Sequence, residues 1–179
     1  MTALLLVIIA AVVFANRKAV PQIASEAPIY APLRVGDPAP PFAVTTLDGR
    51  RIDSAAITKP ILLEVFATWC PHCQRETATL NTLRERFGGG LVIVSVSGSD
   101  TAADRSSPES LNDVRGFARY FHVAYPIAYD PNLTVAKHYL QGGFPTIAVI
   151  DPVKRIAAIE SGEVSLKRLV AAAVKAGAK

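Results

Sequence analysis

The hydrophobic positions fall into two kinds of pattern. Ile61 to Ala67 (ILLEVFA) and Leu91 to Ser97 (LVIVSVS) are apolar on both parities of a strand, which predicts central strands covered on both faces. From Pro71 to Phe87, by contrast, Cys73, Thr77, Leu80, Leu83 and Phe87 recur at helical spacing, and Gly88-Gly89-Gly90 ends the run. Ahead of these, Phe42 to Thr46 and Arg50 to Ile52 flank Asp48-Gly49, a dipeptide that tolerates the positive φ of a tight turn, so a small hairpin is expected to open the domain. Behind them, Ser107-Pro108-Glu109 offers a hydroxyl cap, a first-turn proline and an early carboxylate to a helix with Leu111, Val114, Ala118 and Phe121 on one face. Tyr125 to Tyr129 predicts a short strand, and Asp130-Pro131 the start of a helix ending at Gly142-Gly143. Thr146 to Ile150 and Arg155 to Glu160 predict two strands joined by the Asp151-Pro152 turn. Ser165 can cap a last helix whose Leu166, Leu169, Val170, Ala173 and Val174 keep one apolar face. Strands alternate with helices, so the class is α/β.

The start of the chain follows neither pattern. Ala3 to Ala15 is an unbroken apolar run of 13 residues, shorter than the ~20 a membrane-spanning helix needs. Val13 and Ala15 suit the −3 and −1 positions of a signal peptidase site. Residues 1–15 are therefore expected to be a signal sequence or membrane anchor, although Arg17 and Lys18 follow the run rather than precede it, against the usual charge bias. Pro21, Pro28 and Pro32 make 16–35 a linker, leaving 36–179 as the folded domain.

With 50% hydrophobic and 19% charged residues over 179 positions, the chain is too apolar to be disordered and is about one domain in size. A net charge of +4 would suit a polyanion, but the basic residues come as scattered pairs such as Arg50-Arg51 and Lys154-Arg155, so nucleic acid is not an expected partner. Cysteine is more informative. The two cysteines, Cys70 and Cys73, lie three positions apart, and whatever they do they do as a pair.

Trp69-Cys70-Pro71-His72-Cys73 falls where a strand hands over to a helix. There the unbonded first N–H groups and the helix dipole favour a thiolate at Cys70, while Cys73, one turn further in, is expected to be buried and inert until a mixed disulfide forms. Pro71 fixes φ and removes an amide hydrogen; His72 adds a positive or hydrogen-bonding neighbour; with Trp69 they tune the pair. A structural zinc site needs about four ligands, and neither a second Cys pair nor a nearby His pair accompanies this one. Haem attachment requires His after the second cysteine, where Gln74 stands. A structural disulfide closing so short a loop adds little stability. The expected metal content is none, and the expected cofactor is none beyond the redox-active Cys70–Cys73 disulfide itself.

Four stretches together resemble the thioredoxin superfamily, and within it the exported, redoxin-like TlpA/ResA branch. They are Gly36-Asp37-Pro38-Ala39-Pro40, Phe66 to Cys70 (FATWC), Tyr125 to Lys137 (YPIAYDPNLTVAK), and Gly143-Phe144-Pro145-Thr146 leading into Ile150-Asp151. The resemblance implies a thioredoxin fold with an N-terminal β-hairpin and an inserted strand-helix unit, its central mixed sheet flanked by helices. It implies that Pro145 is cis and lies against the Cys pair, and that Phe144 and Thr146 help present main chain to an extended, cysteine-bearing polypeptide. It also implies a periplasmic domain, tethered to the inner membrane or released by cleavage near Ala15, that exchanges electrons with a membrane thiol-disulfide partner. Glu64 stands six residues before Cys70, where thioredoxins carry a buried Asp. On a strand covered from both sides it is expected to have a raised pKa and to pass a proton to or from Cys73 through water. Lys154 occupies a turn position where the family usually has Gly.

Motif and scaffold point to different directions of electron flow. Cys-Pro-His-Cys is the loop of the strongly oxidising DsbA, whereas the TlpA/ResA-type scaffold implies a reductant for exported proteins. About 150 mV, or about 7 kcal/mol for two electrons, separates the two regimes. The scaffold spans most of the domain and the loop dipeptide only two residues, so a disulfide reductase is the expected function and a DsbA-like thiol oxidase the alternative. A Cu(I) metallochaperone of Sco type is a further alternative, though its cysteines are usually one residue further apart. A peroxiredoxin-like peroxidase is disfavoured by Ala67, which stands where a peroxidatic cysteine has Thr.

Overall fold

The computed structural model describes residues 31–179; the apolar leader and most of the proline-rich linker lie outside the described residues. Strands β1 (Ala43–Thr45) and β2 (Arg51–Asp53) pair as the expected antiparallel hairpin. Five further strands form one sheet: β3 (Ile61–Phe66), β4 (Val92–Ser97), β5 (Ile127–Ala128), β6 (Thr146–Ile150) and β7 (Ile156–Ser161). Their spatial order is β5-β4-β3-β6-β7. β3, β4 and β5 run parallel, while β6 is antiparallel to β3 and β7 to β6, so the sheet is mixed. Helices α1 (Pro71–Phe87), α2 (Leu111–Tyr120), α3 (Thr134–Tyr139) and α4 (Leu166–Lys175) complete the domain. None of the helices among the described residues is long and apolar enough to cross a membrane.

Every residue of β3 is buried, and its pleat divides the core into two layers. Ile61, Leu63 and Val65 pack with Val94 and Val96 of β4, Val135 and Tyr139 of α3, and Val44 of the hairpin. Leu62 faces the other way, onto Leu80 and Leu83 of α1 and Leu169 and Ala173 of α4. Phe66 shares that second face and meets Val114 and Phe117 of α2 together with both cysteines. Glu64 lies between Leu62 and Phe66 in the alternation, so the pleat directs its carboxyl beneath α1.

Several local expectations change. α2 is capped by Ser110, whose Oγ accepts from the Asp113 amide while the Asp113 carboxylate accepts from the Ser110 amide at 2.8 Å, a reciprocal capping box. Ser107 instead donates to Asp104 at 2.6 Å within the preceding loop. The strand expected over 125–129 shrinks to Ile127–Ala128, the length over which β4 offers it a partner. α3 starts only at Thr134, because Leu133 is left-handed (φ 54°). Asp130 caps it from a distance by accepting from the Val135 amide at 2.8 Å. Lys154 adopts φ 63°, the conformation that suits glycine, and its ammonium donates to the Ile57 carbonyl.

Candidate active site

β3 ends at Phe66 and the chain turns through Ala67, Thr68 and Trp69 into α1. Cys70 is the residue just before the helix, in extended conformation, with Pro71 in the first turn. Proline has no amide hydrogen, so the free donors at this helix start belong to His72 and Cys73. Both cysteines are free thiols; Cys70 is 4% exposed and Cys73 fully buried. The Cys70 thiol donates to the carbonyl oxygen of Phe144 at 3.4 Å, and the Phe144–Pro145 peptide is cis. Cys73 lies beside Cys70 and against the main chain of Ala67; burial, and next the charge of Glu64, push its thiol far above the ordinary range.

Glu64 is 2% exposed and directly opposite Ser95 in the β3–β4 register. Ser95 Oγ donates to Glu64 Oε2, while Oε1 has no partner. Burial, opposed by the Ser95 bond and reinforced by Glu76, raises this carboxyl to about 8. The buried Tyr125 hydroxyl, also without a hydrogen bond, is held above its ordinary value first by burial and then by the charge of Glu64.

Two further carboxyls are buried where the sequence pattern does not lead one to expect it. Glu76 on α1 is fully buried, accepts from the Val164 amide at 2.8 Å through Oε2, and is raised by burial to about 7. Its position, three residues after Cys73 and four before Leu80, was the available signal, since it falls on the apolar stripe. Glu109 lies under the turn that carries Cys70: Thr68 Oγ1 donates to its Oε1 at 2.9 Å and Ser97 Oγ to its Oε2. Burial raises Glu109 as well, to about 7. Ser95 and Ser97 alternate on one face of an otherwise apolar strand, and that spacing was the trace of this polar layer.

The turn is held from outside too. Trp69 Nε1 donates to Ser99 Oγ at 2.9 Å, its ring meets Phe144 edge to face, and the Arg105 guanidinium lies 4.5 Å from its centroid. Gln74 Nε2 donates to the Thr68 carbonyl at 3.1 Å. His72 projects to an exposed contact with Arg75 and Glu163. Thr146 is not at the surface: it is 1% exposed, and its hydroxyl, with one hydrogen to donate, lies between the Gln141 and Gly143 carbonyls, 2.9 and 2.8 Å away. It secures the segment before it, and Phe144 is the partly exposed member of that pair.

A dithiol at a helix start, against the carbonyl before a cis proline that leads into the antiparallel β6, defines a thioredoxin-fold thiol-disulfide oxidoreductase. The chain belongs to the AhpC/TSA family, whose model matches residues 35–159. It is of ResA type. It is 29% identical over 177 residues to the thiol-disulfide oxidoreductase ResA of Oceanobacillus iheyensis, covering 94% of this chain and 83% of that protein. The ResA of Geobacillus thermodenitrificans is 30% identical over 129 residues, covering 72% and 70%. Among solved structures, a putative thiol:disulfide interchange protein DsbE from Chlorobium tepidum superposes with a TM-score of 0.69 at 22% identity, covering 80% of this chain and 98% of that one.

Proposed function

We propose that this protein is a reductase for disulfides in exported, cysteine-bearing polypeptides, with Cys70 as nucleophile, Cys73 as resolving thiol and Glu64 as buried acid/base. The observation that carries this reading is the Cys70 thiol at the start of α1, bonded to the Phe144 carbonyl. A client strand pairing with the Phe144 main chain brings its own sulfur to that thiol. A shallow groove of about 460 Å³ alongside, lined in part by Thr68, Gln74, Phe117 and Tyr120, accepts an apolar client side chain.

The Cys70 thiolate attacks the client disulfide R–S–S–R′, forming Cys70–S–S–R and releasing R′–S⁻. Cys73 then gives its proton to the Glu64 carboxylate and attacks Cys70 Sγ; the Cys70–Cys73 disulfide forms and the client leaves as its second thiolate. The client gains the two electrons the pair loses, and a membrane-bound dithiol partner returns them. The electrons pass through the two thiols alone, and the one proton acceptor called on is Glu64. Phe144 contacts the client, and Thr146 and Pro145 position it. The domain works outside the cytoplasm, tethered or released through its apolar leader.

Equilibration with glutathione tests the direction. The expected standard potential lies below about −200 mV, towards the −270 mV regime of thioredoxin; a value near the −120 mV of DsbA overturns it in favour of an oxidase.

A further inference from the structure

His72 Nδ1 has two neighbours with opposite demands. Arg75 Nη2, at 2.8 Å, can only donate to it; Glu163 Oε2, at 3.3 Å, can only accept from it. The same Glu163 oxygen accepts from Arg75 Nε at 2.9 Å. A cation on either residue is therefore answered by one carboxylate. Its carboxyl is held below the ordinary range first by the Arg75 bond and then by the His72 bond.

This carboxylate is not placed by a free surface loop. Gly162, at φ 83°, turns the chain out of β7, and its amide donates to the Pro145 carbonyl at 2.8 Å. On the other side the Val164 amide donates to the buried Glu76 Oε2 at 2.8 Å. The turn that carries Glu163 is thus fastened both to the proline beside Cys70 and to α1, one turn below His72.

We propose that Glu163 is a positioning residue that sets the redox potential of the Cys70–Cys73 pair, by neutralising the charge that Arg75 brings to the His72 ring at the start of α1 and withholding it from the Cys70 sulfur. The inference rests on reading the pair as a thiol-disulfide exchange centre. A cation near the nucleophilic sulfur stabilises the thiolate and with it the dithiol form, which makes a protein more oxidising. Glu163 opposes that, and so pulls a Cys-Pro-His-Cys loop towards the reducing side. Because the three side chains are about half exposed, screening limits the effect to a few-fold.

The test is the equilibrium constant with glutathione for wild type, Glu163→Gln, Glu163→Asp, and Glu163→Gln in a His72→Ala/Arg75→Gln background, with melting curves to confirm folding. Glu163→Gln is expected to shift the equilibrium about fivefold towards the dithiol, about 20 mV more oxidising at 29.6 mV per tenfold. Glu163→Asp should return to the wild-type value, and the shift should fall below twofold when the His72 and Arg75 side chains are both replaced. A Glu163→Gln protein that exchanges with glutathione at the wild-type potential overturns the proposal alone, as does an undiminished shift in the His72→Ala/Arg75→Gln background. A wild-type protein that exchanges no disulfide with glutathione overturns the exchange reading and this inference with it.

Discussion

Ser95 Oγ donates to Glu64 Oε2 across directly paired positions of β3 and β4, leaving the second carboxylate oxygen buried and unbonded beneath α1. A half-satisfied carboxyl held at about 8 in the layer that contains Cys73, a thiol whose own affinity for its proton is raised, is what the proposed proton transfer requires. In Glu64→Gln, the shape and the Ser95 contact can persist while the base is lost. Release of client from the Cys70 mixed disulfide should then slow on the order of 10²-fold at neutral pH. The wild-type release rate should rise with pH to a midpoint near 8, and that titration should vanish in the variant. Stopped-flow release of a fluorescent thiol reads both; an unchanged rate and profile would remove Glu64 from the reaction.

Three buried carboxyls also make stability depend on pH in a definite sense. Unfolded, each ionises near 4.5; folded, Glu64 keeps its proton to about 8, and Glu76 and Glu109 to about 7. Between those values the folded state binds more protons than the unfolded state. The stability these groups allow is therefore full below pH 4.5, declines as pH rises, and levels off above about 8. Urea unfolding from pH 5 to 8 should show that decline, and Glu64→Gln should flatten it by up to about 1.4 kcal/mol per pH unit. Stability that rises over this range contradicts the assignment.

The proposed mechanism gives the two thiols separable roles. Cys70 meets the Phe144 carbonyl and retains a little exposure, whereas Cys73 has none. Cys73→Ser should accumulate a mixed disulfide between Cys70 and a peptide client, visible by intact mass, while Cys70→Ser should form none. Trapping at Cys73 in the Cys70→Ser protein instead would reverse the order of attack.

How much of this could be seen in the sequence follows from how local each signal is. The limits of α1 were readable to the residue, because Pro71 and the triple glycine at 88–90 punctuate it and its apolar stripe is unbroken. The burial of Glu64 was readable because no polar face existed on β3 for it to occupy. In the sequence Glu109 looks like a first-turn carboxylate of α2, since nothing near it announces that Thr68 and Ser97 supply its partners from 41 and 12 residues away. Glu163 was invisible for the same reason: its place beside His72 depends on hydrogen bonds to Pro145 and Glu76, neither a neighbour in the chain. Long-range polar pairings leave no periodicity.

That buried clamp yields the last prediction. Thr68 stands two residues before Cys70, is 4% exposed, and shares Glu109 with the fully buried Ser97. Glu109→Ala leaves two buried hydroxyls without their acceptor, at about 1–3 kcal/mol each, so the protein should lose roughly 2–6 kcal/mol. Removing the second partner should cost less than removing the first: Thr68→Val combined with Glu109→Ala should be less destabilising than the sum of the single changes, because no orphaned hydroxyl remains at position 68. Trp69, the single tryptophan, sits on the same turn between Ser99 and Arg105, so its emission should change in Glu109→Ala before unfolding begins. Displacement of the turn should also lower client reduction roughly tenfold, since the reacting sulfur is carried on it. Additive destabilisation with wild-type fluorescence and turnover would mean that Glu109 fills space under the turn without fixing the position of Cys70.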